Sequence, residues 1–107
     1  MPTIQTIDSS AFERLIKDNR HVIVDFYSTD CPPCANLAPI YEQMAEKYPQ
    51  AVFVKIMRQD NRELAQSLFV MSSPTVLFFR DGQMLEPRLT GNVTENELEQ
   101  IIKQLIV

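Results

Sequence analysis

The chain has 107 residues, 45% hydrophobic and 22% charged, a balance close to the globular average that excludes a disordered or low-complexity polypeptide. A chain of this length buries roughly two-thirds of its unfolded surface, enough for a core without metal or disulfide staples. One domain over residues 1–107 is expected. With 10 Lys and Arg against 14 Asp and Glu the net charge is −4, and no basic stripe points to a nucleic-acid partner.

The opening residues Met1-Pro2-Thr3-Ile4-Gln5-Thr6 lack the basic-then-apolar pattern of a secretory signal. Apolar runs are a handful of residues, against the roughly 20 that cross a bilayer. A soluble cytoplasmic protein without a membrane partner is therefore expected. Structural disulfides are rare in that compartment, so the 2 cysteines need another explanation.

Ile4 and Ile7 bracket a short opening strand. Ser10-Ala11-Phe12-Glu13 fits a capping box, with Glu13 reaching back to the Ser10 N–H. Phe12, Leu15 and Ile16 recur at helical spacing and predict a helix to about Asn19. His21 to Tyr27, β-branched and aromatic, reads as a buried strand. After the cysteines, Leu37, Ile40, Tyr41, Met44, Ala45 and Tyr48 mark a second helix, with Pro39 inside it expected to kink it.

Ala51 to Met57 reads as another buried strand and Glu63 to Phe69 as a short helix. Thr75 to Phe79 and Met84 to Leu89 flank Asp81-Gly82, a hairpin turn pair, and Pro87 sends the second of these strands to the sheet edge. Thr94 to Glu97 forms another capping box, ahead of a closing helix with the apolar stripe Leu98, Ile101, Ile102, Leu105 and Ile106. The order β-α-β-α-β-α-β-β-α predicts a three-layer α/β/α sandwich on a mixed sheet.

Cys31-Pro32-Pro33-Cys34 ends a strand and opens a helix. A Cys-x-x-Cys at that junction reads as a thiol–disulfide redox centre. As N-cap, Cys31 would face the positive end of the helix dipole, which favours the nucleophilic thiolate. Cys34, one turn on, is placed to attack a mixed disulfide and release the product. Pro32 and Pro33 suit a helix start but carry no N–H, leaving the N–H and thiol of Cys34 as the local donors to a Cys31 thiolate. Zinc needs four ligands, and the chain offers 2 Cys and 1 His. A metal or cluster held between two chains, or an inert cysteine pair, are the other readings.

Val24-Asp25-Phe26-Tyr27, the Cys-Pro-Pro-Cys motif, Ala38-Pro39, Ser73-Pro74-Thr75-Val76, Asp81-Gly82 and Thr90-Gly91 together resemble the thioredoxin family along essentially the whole chain. The resemblance implies a central five-stranded mixed sheet with four flanking helices, Cys31 as nucleophile and Cys34 as resolving thiol. It implies protein-disulfide substrates, a thioredoxin-reductase-like electron donor and a monomer, with no cofactor beyond the redox-active cysteine pair. Asp25, a carboxylate in an apolar strand, would be a desolvated acid that exchanges a proton with Cys34, with Lys55 nearby; a solvent-facing strand-end Asp and an edge Lys are the alternatives. The Ser73–Pro74 bond is implied to be cis and to face the dithiol. The Ser73 backbone, beside Pro74 and Gly91, would then be free to pair with an extended substrate.

Several positions depart from the family. Asp30 stands where Trp is usual, and the chain has no Trp. Ser72 and Ser73 precede the proline in place of a small and an aliphatic residue, Thr90 and Asn92 flank Gly91, Ala35 replaces a frequently basic residue, and Pro32 a glycine. These changes make the docking rim more polar and add a negative charge. Asp30 is expected to oppose the Cys31 thiolate. A poorer general reductant with a narrower target set follows, because apolar anchors carry most interface energy.

His21 and the charge cluster Arg58, Asp60, Asn61, Arg62 and Glu63 read as solvated surface, and Met44, Met57 and Met71 as core. The competing functions are an interaction module with an incidental dithiol, and a metal- or cluster-binding dimer through the cysteines.

Overall fold

The computed structural model describes residues 4–107. Its strands are β1 (Gln5–Ile7), β2 (His21–Tyr27), β3 (Val52–Met57), β4 (Thr75–Arg80) and β5 (Gln83–Thr90). The helices are α1 (Ser9–Asp18), α2 (Pro32–Lys47), α3 (Arg62–Ser67) and α4 (Glu95–Leu105), with a 3-10 turn at Arg58–Asp60 ahead of α3. The five strands form one sheet in the order β1-β3-β2-β4-β5. β3 runs parallel to both β1 and β2, whereas β4 runs antiparallel to β2 and β5.

Strand periodicity divides the core in two. Val22, Val24 and Phe26 of β2 face α1 and α3, packing with Phe12, Ile16 and Ala65. Ile23 lies on the opposite face with Leu37, Tyr41 and Met44 of α2 and Leu98 and Ile102 of α4. Asp25 shares the parity of Ile23, so alternation alone carries a carboxylate under α2. The Tyr41 hydroxyl lies 2.9 Å from the Ile23 carbonyl oxygen and 2.6 Å from that of Val54, donating its one proton between them and tying α2 to the sheet.

The expected element order holds, with differences at particular residues. The cap of α1 is Asp8, whose carboxylate accepts from Ser10 N–H at 3.0 Å, not Ser10 with Glu13. Glu13 instead pairs with Lys17 at 3.5 Å on the exposed face. Helix α2 holds Pro39 inside it, as read. The capping box at Thr94 and Glu97 forms as read, each residue bonding the other's backbone N–H.

Asp81 and Gly82 both take positive φ, 51° and 81°, the backbone of a tight hairpin turn. β5 is the sheet edge, with a cis bond at Glu86–Pro87. Met44 is core, but Met71 is 78% exposed. The preceding Phe69 takes φ +56°, which turns Val70 inward and leaves Phe69 and Met71 facing out.

Candidate active site at the Cys31–Cys34 dithiol

The end of β2 delivers residues 28–30 to the carboxyl edge of the sheet. Asp30 there takes φ +54°, a left-handed turn that Asp tolerates, and α2 begins two residues later. Cys31 is the N-cap: its Sγ accepts from Cys34 N–H at 3.3 Å, and its carbonyl accepts from Ala35 N–H at 3.0 Å. Pro32 and Pro33 occupy the first two helical positions, so Cys34 supplies the backbone donor, as the sequence requires.

The Cys31 and Cys34 sulfurs are joined, over a Cα separation of 5.3 Å, within the range a disulfide spans. Cys34 is only 7% exposed, whereas Cys31 is partly accessible. Among the described residues no cluster of three or more His, Cys, Asp or Glu could hold a metal.

Asp25 is 4% exposed, and its Oδ1 has no hydrogen-bond partner among the described residues. Burial raises its carboxyl from 3.8 to about 7, while the Lys55 charge pulls the other way. Lys55 is directly opposite Asp25 in the β2–β3 register. Its ammonium lies 5.1 Å from the Tyr27 ring centroid, and the two charges form no ion pair. Asp25, Lys55, Cys31 and Cys34 line one cavity of about 520 Å³, with Asp30 at its mouth.

The Ser73–Pro74 bond is cis, and the Ser73 carbonyl oxygen lies 3.6 Å from Cys31 Sγ. Gly91, at φ +74°, donates its N–H to the Pro74 carbonyl at 3.2 Å and holds that loop against the end of β5. The structure thus gathers the cysteines, Ser73, Pro74 and Gly91 at one end of the sheet, with Asp25 and Lys55 behind them.

The chain matches the thioredoxin family model over residues 3–104. It is 35% identical to a thioredoxin of Mycoplasmoides gallisepticum over 96 residues, 90% of this chain and 95% of that protein. It is 40% identical over 75 residues to thioredoxin-1 of Saccharomyces cerevisiae, 70% of this chain and 73% of the relative. The chain belongs to the thioredoxin family. Its fold superposes on mitochondrial thioredoxin 3 of S. cerevisiae with a TM-score of 0.87 and 30% identity, covering 94% of each chain. It is a dithiol oxidoreductase of the thioredoxin type.

Sequence reading missed several polar residues around this site. Of the charge cluster read as solvated, Asp60, Arg62 and Glu63 are exposed, but Arg58 is half-buried and its Nε donates to Ser73 Oγ at 2.9 Å. Ser28 Oγ lies 2.5 Å from the same Ser73 Oγ. Gln59 accepts from Thr29 N–H at 3.0 Å, stitching the loop before Cys31 to the 3-10 turn. Tyr41 had been counted only as part of an apolar stripe. Asn61, from the same cluster, is buried and holds the start of α1 through Ser9 N–H at 2.9 Å. His21 lies at the opposite end of β2, half-buried rather than solvated.

Proposed function

We propose that this chain reduces protein disulfides by dithiol exchange, and that its targets are fewer than those of ordinary thioredoxins. The Cys31 thiolate attacks one target sulfur; the target S–S bond breaks, a mixed disulfide forms, and the departing target thiolate takes up a proton. Cys34 then loses its proton to Asp25 and attacks Cys31 Sγ, forming the Cys31–Cys34 disulfide and expelling the second target thiolate. Two electrons pass to the target; solvent protonates its first thiolate and the Cys34 proton that Asp25 releases completes the second, so no cofactor beyond the cysteine pair is required.

The observation that carries this reading is the contrast between an accessible Cys31 at a helix N-terminus and a buried Cys34 that shares a cavity with a protonatable Asp25. Lys55 holds that carboxyl from rising further. Pro74 lacks an N–H, and the Ser73 backbone beside Gly91 is the strand edge offered to an extended substrate. Re-reduction needs a dithiol donor, for which a thioredoxin reductase is the natural class. One relative, 37% identical over 90 residues, is a bifunctional thioredoxin reductase/thioredoxin of Mycobacterium leprae. A monomer in the reducing cytoplasm fits this chemistry, and among the described residues no helix is long and apolar enough to cross a membrane.

The narrow target set follows from Asp30, Ser72 and Ser73 on the rim, although exposed Met71 leaves it some apolar surface. Insulin reduction at matched concentration is expected to run about fivefold or more slower than with an ordinary thioredoxin, since loss of one apolar anchor costs about 1 kcal/mol or more. Cys31→Ser is expected to abolish it. Equal rates for the parent and an ordinary thioredoxin would contradict the narrow range, and activity in Cys31→Ser would contradict the mechanism.

A further inference from the structure

Ser73, whose carbonyl oxygen touches Cys31 Sγ, has its hydroxyl held by two partners, Ser28 Oγ at 2.5 Å and Arg58 Nε at 2.9 Å. The Arg58 guanidinium is therefore one residue removed from the reacting sulfur. Only its Nε is engaged, and among the described residues it forms no ion pair. Arg62 repeats the pattern: its Nε donates to the Gln59 carbonyl at 3.1 Å, and it too pairs with no carboxylate.

Both side chains line one depression of about 220 Å³, with Gln59 and Gln66 at its wall and Ala65 and Val70 beneath. No acidic residue lines it. A guanidinium anchored through Nε presents its remaining N–H groups in a fixed fork, the geometry that suits a carboxylate, and less rotamer freedom is lost when one binds. Asp25, Asp30 and Glu42, by contrast, line the cavity reached from Cys31 and Cys34. Lys55 offsets the acids there, so the hollow of Arg58 and Arg62 is the one that carries cations without an acid, and Ser73 links it to the reacting sulfur.

We propose that Arg58, with Arg62 beside it, is a specificity-determining subsite for a carboxylate side chain, Asp or Glu, close in sequence to the target cysteine that Cys31 attacks. The proposal rests on the exchange reading above and names the class of disulfide it favours. It acts on encounter and docking, so it weakens as salt screens the charges.

The test uses the pre-reduced full chain and two fluorescence-quenched peptide disulfides, one with Glu on both sides of the cysteine and one with Gln. Each rate is divided by that of the same peptide with dithiothreitol, which removes the peptides' intrinsic difference in reactivity. The Glu peptide is expected to react about three- to tenfold faster at low ionic strength, with the preference falling towards one in about 0.5 M salt. Arg58→Gln is expected to remove most of the preference, and Arg62→Gln, an exposed change remote from Ser73, part of it. A Glu-to-Gln ratio within about twofold of one in the parent, or a ratio unaltered in both variants, overturns the subsite. If neither peptide is reduced, the exchange reading itself fails, and the subsite with it.

Discussion

Replacing Asp25 with Asn should make the oxidised protein more stable above neutral pH, and the gain should vanish in acid. The carboxyl is held near pH 7 in the fold and near 3.8 in the unfolded chain, because burial penalises its charge more than Lys55 relieves it. Between those values the folded state binds the extra proton, so parental stability falls as pH rises and levels off above about 7. A shift of about three units corresponds to roughly 4 kcal/mol at most. An Asn there still buries a polar group at a cost of about 1–3 kcal/mol, but that cost does not depend on pH. The difference in unfolding free energy between Asp25→Asn and parent should therefore be about 3–4 kcal/mol larger at pH 8 than at pH 4. The same substitution removes the proton acceptor for Cys34, and release of mixed disulfides should slow about tenfold or more. Urea titrations at the two pH values provide the check; parallel stability curves would mean that Asp25 is solvated.

Cys34→Ser should convert a catalyst into a trap. Cys31 remains at the helix N-terminus and keeps its access to targets, so the first exchange proceeds and a mixed disulfide forms. Serine cannot attack a disulfide, and the covalent complex persists until an external thiol cleaves it. Non-reducing gels should show adducts that collapse with dithiothreitol, while Cys31→Ser shows none. Turnover in either variant should fall by about a thousandfold or more, since each sulfur makes a bond that no neighbour can make. Adducts forming through Cys34 in the Cys31→Ser variant would reverse the assigned roles, against the 7% exposure of Cys34.

The features readable in advance share one property: their physics is local. Asp81-Gly82 marked its hairpin, and Thr94 with Glu97 closed a capping box through bonds three residues apart. The cis bond before Pro74 came from family resemblance and could not have come from propensity. What escaped the sequence depends on segments meeting in space. Thr29 and Gln59 are 30 residues apart, and Ser28 and Ser73 are 45 apart, so the polar collar around the dithiol exists only once the sheet has assembled.

The start of α1 is instructive in the same way. Asp8, Ser9 and Ser10 can all cap a helix, and Asn61, bonding Ser9 N–H from the start of α3, accompanies the choice of Asp8. Met71 was misjudged because apolar character does not reveal that a residue follows a left-handed turn. Arg58 was misjudged because a charge in a polar run looks solvated until its partner is known.

A redox titration goes to the heart of the matter. Incubated in a graded series of reduced and oxidised glutathione, quenched in acid and counted for alkylated sulfurs, the protein should pass between two states along a two-electron Nernst curve, about 30 mV per tenfold change, from both directions. Failure to return, or an unchanged curve when Ser replaces Cys34, would mean these two sulfurs do not form the couple on which the function depends.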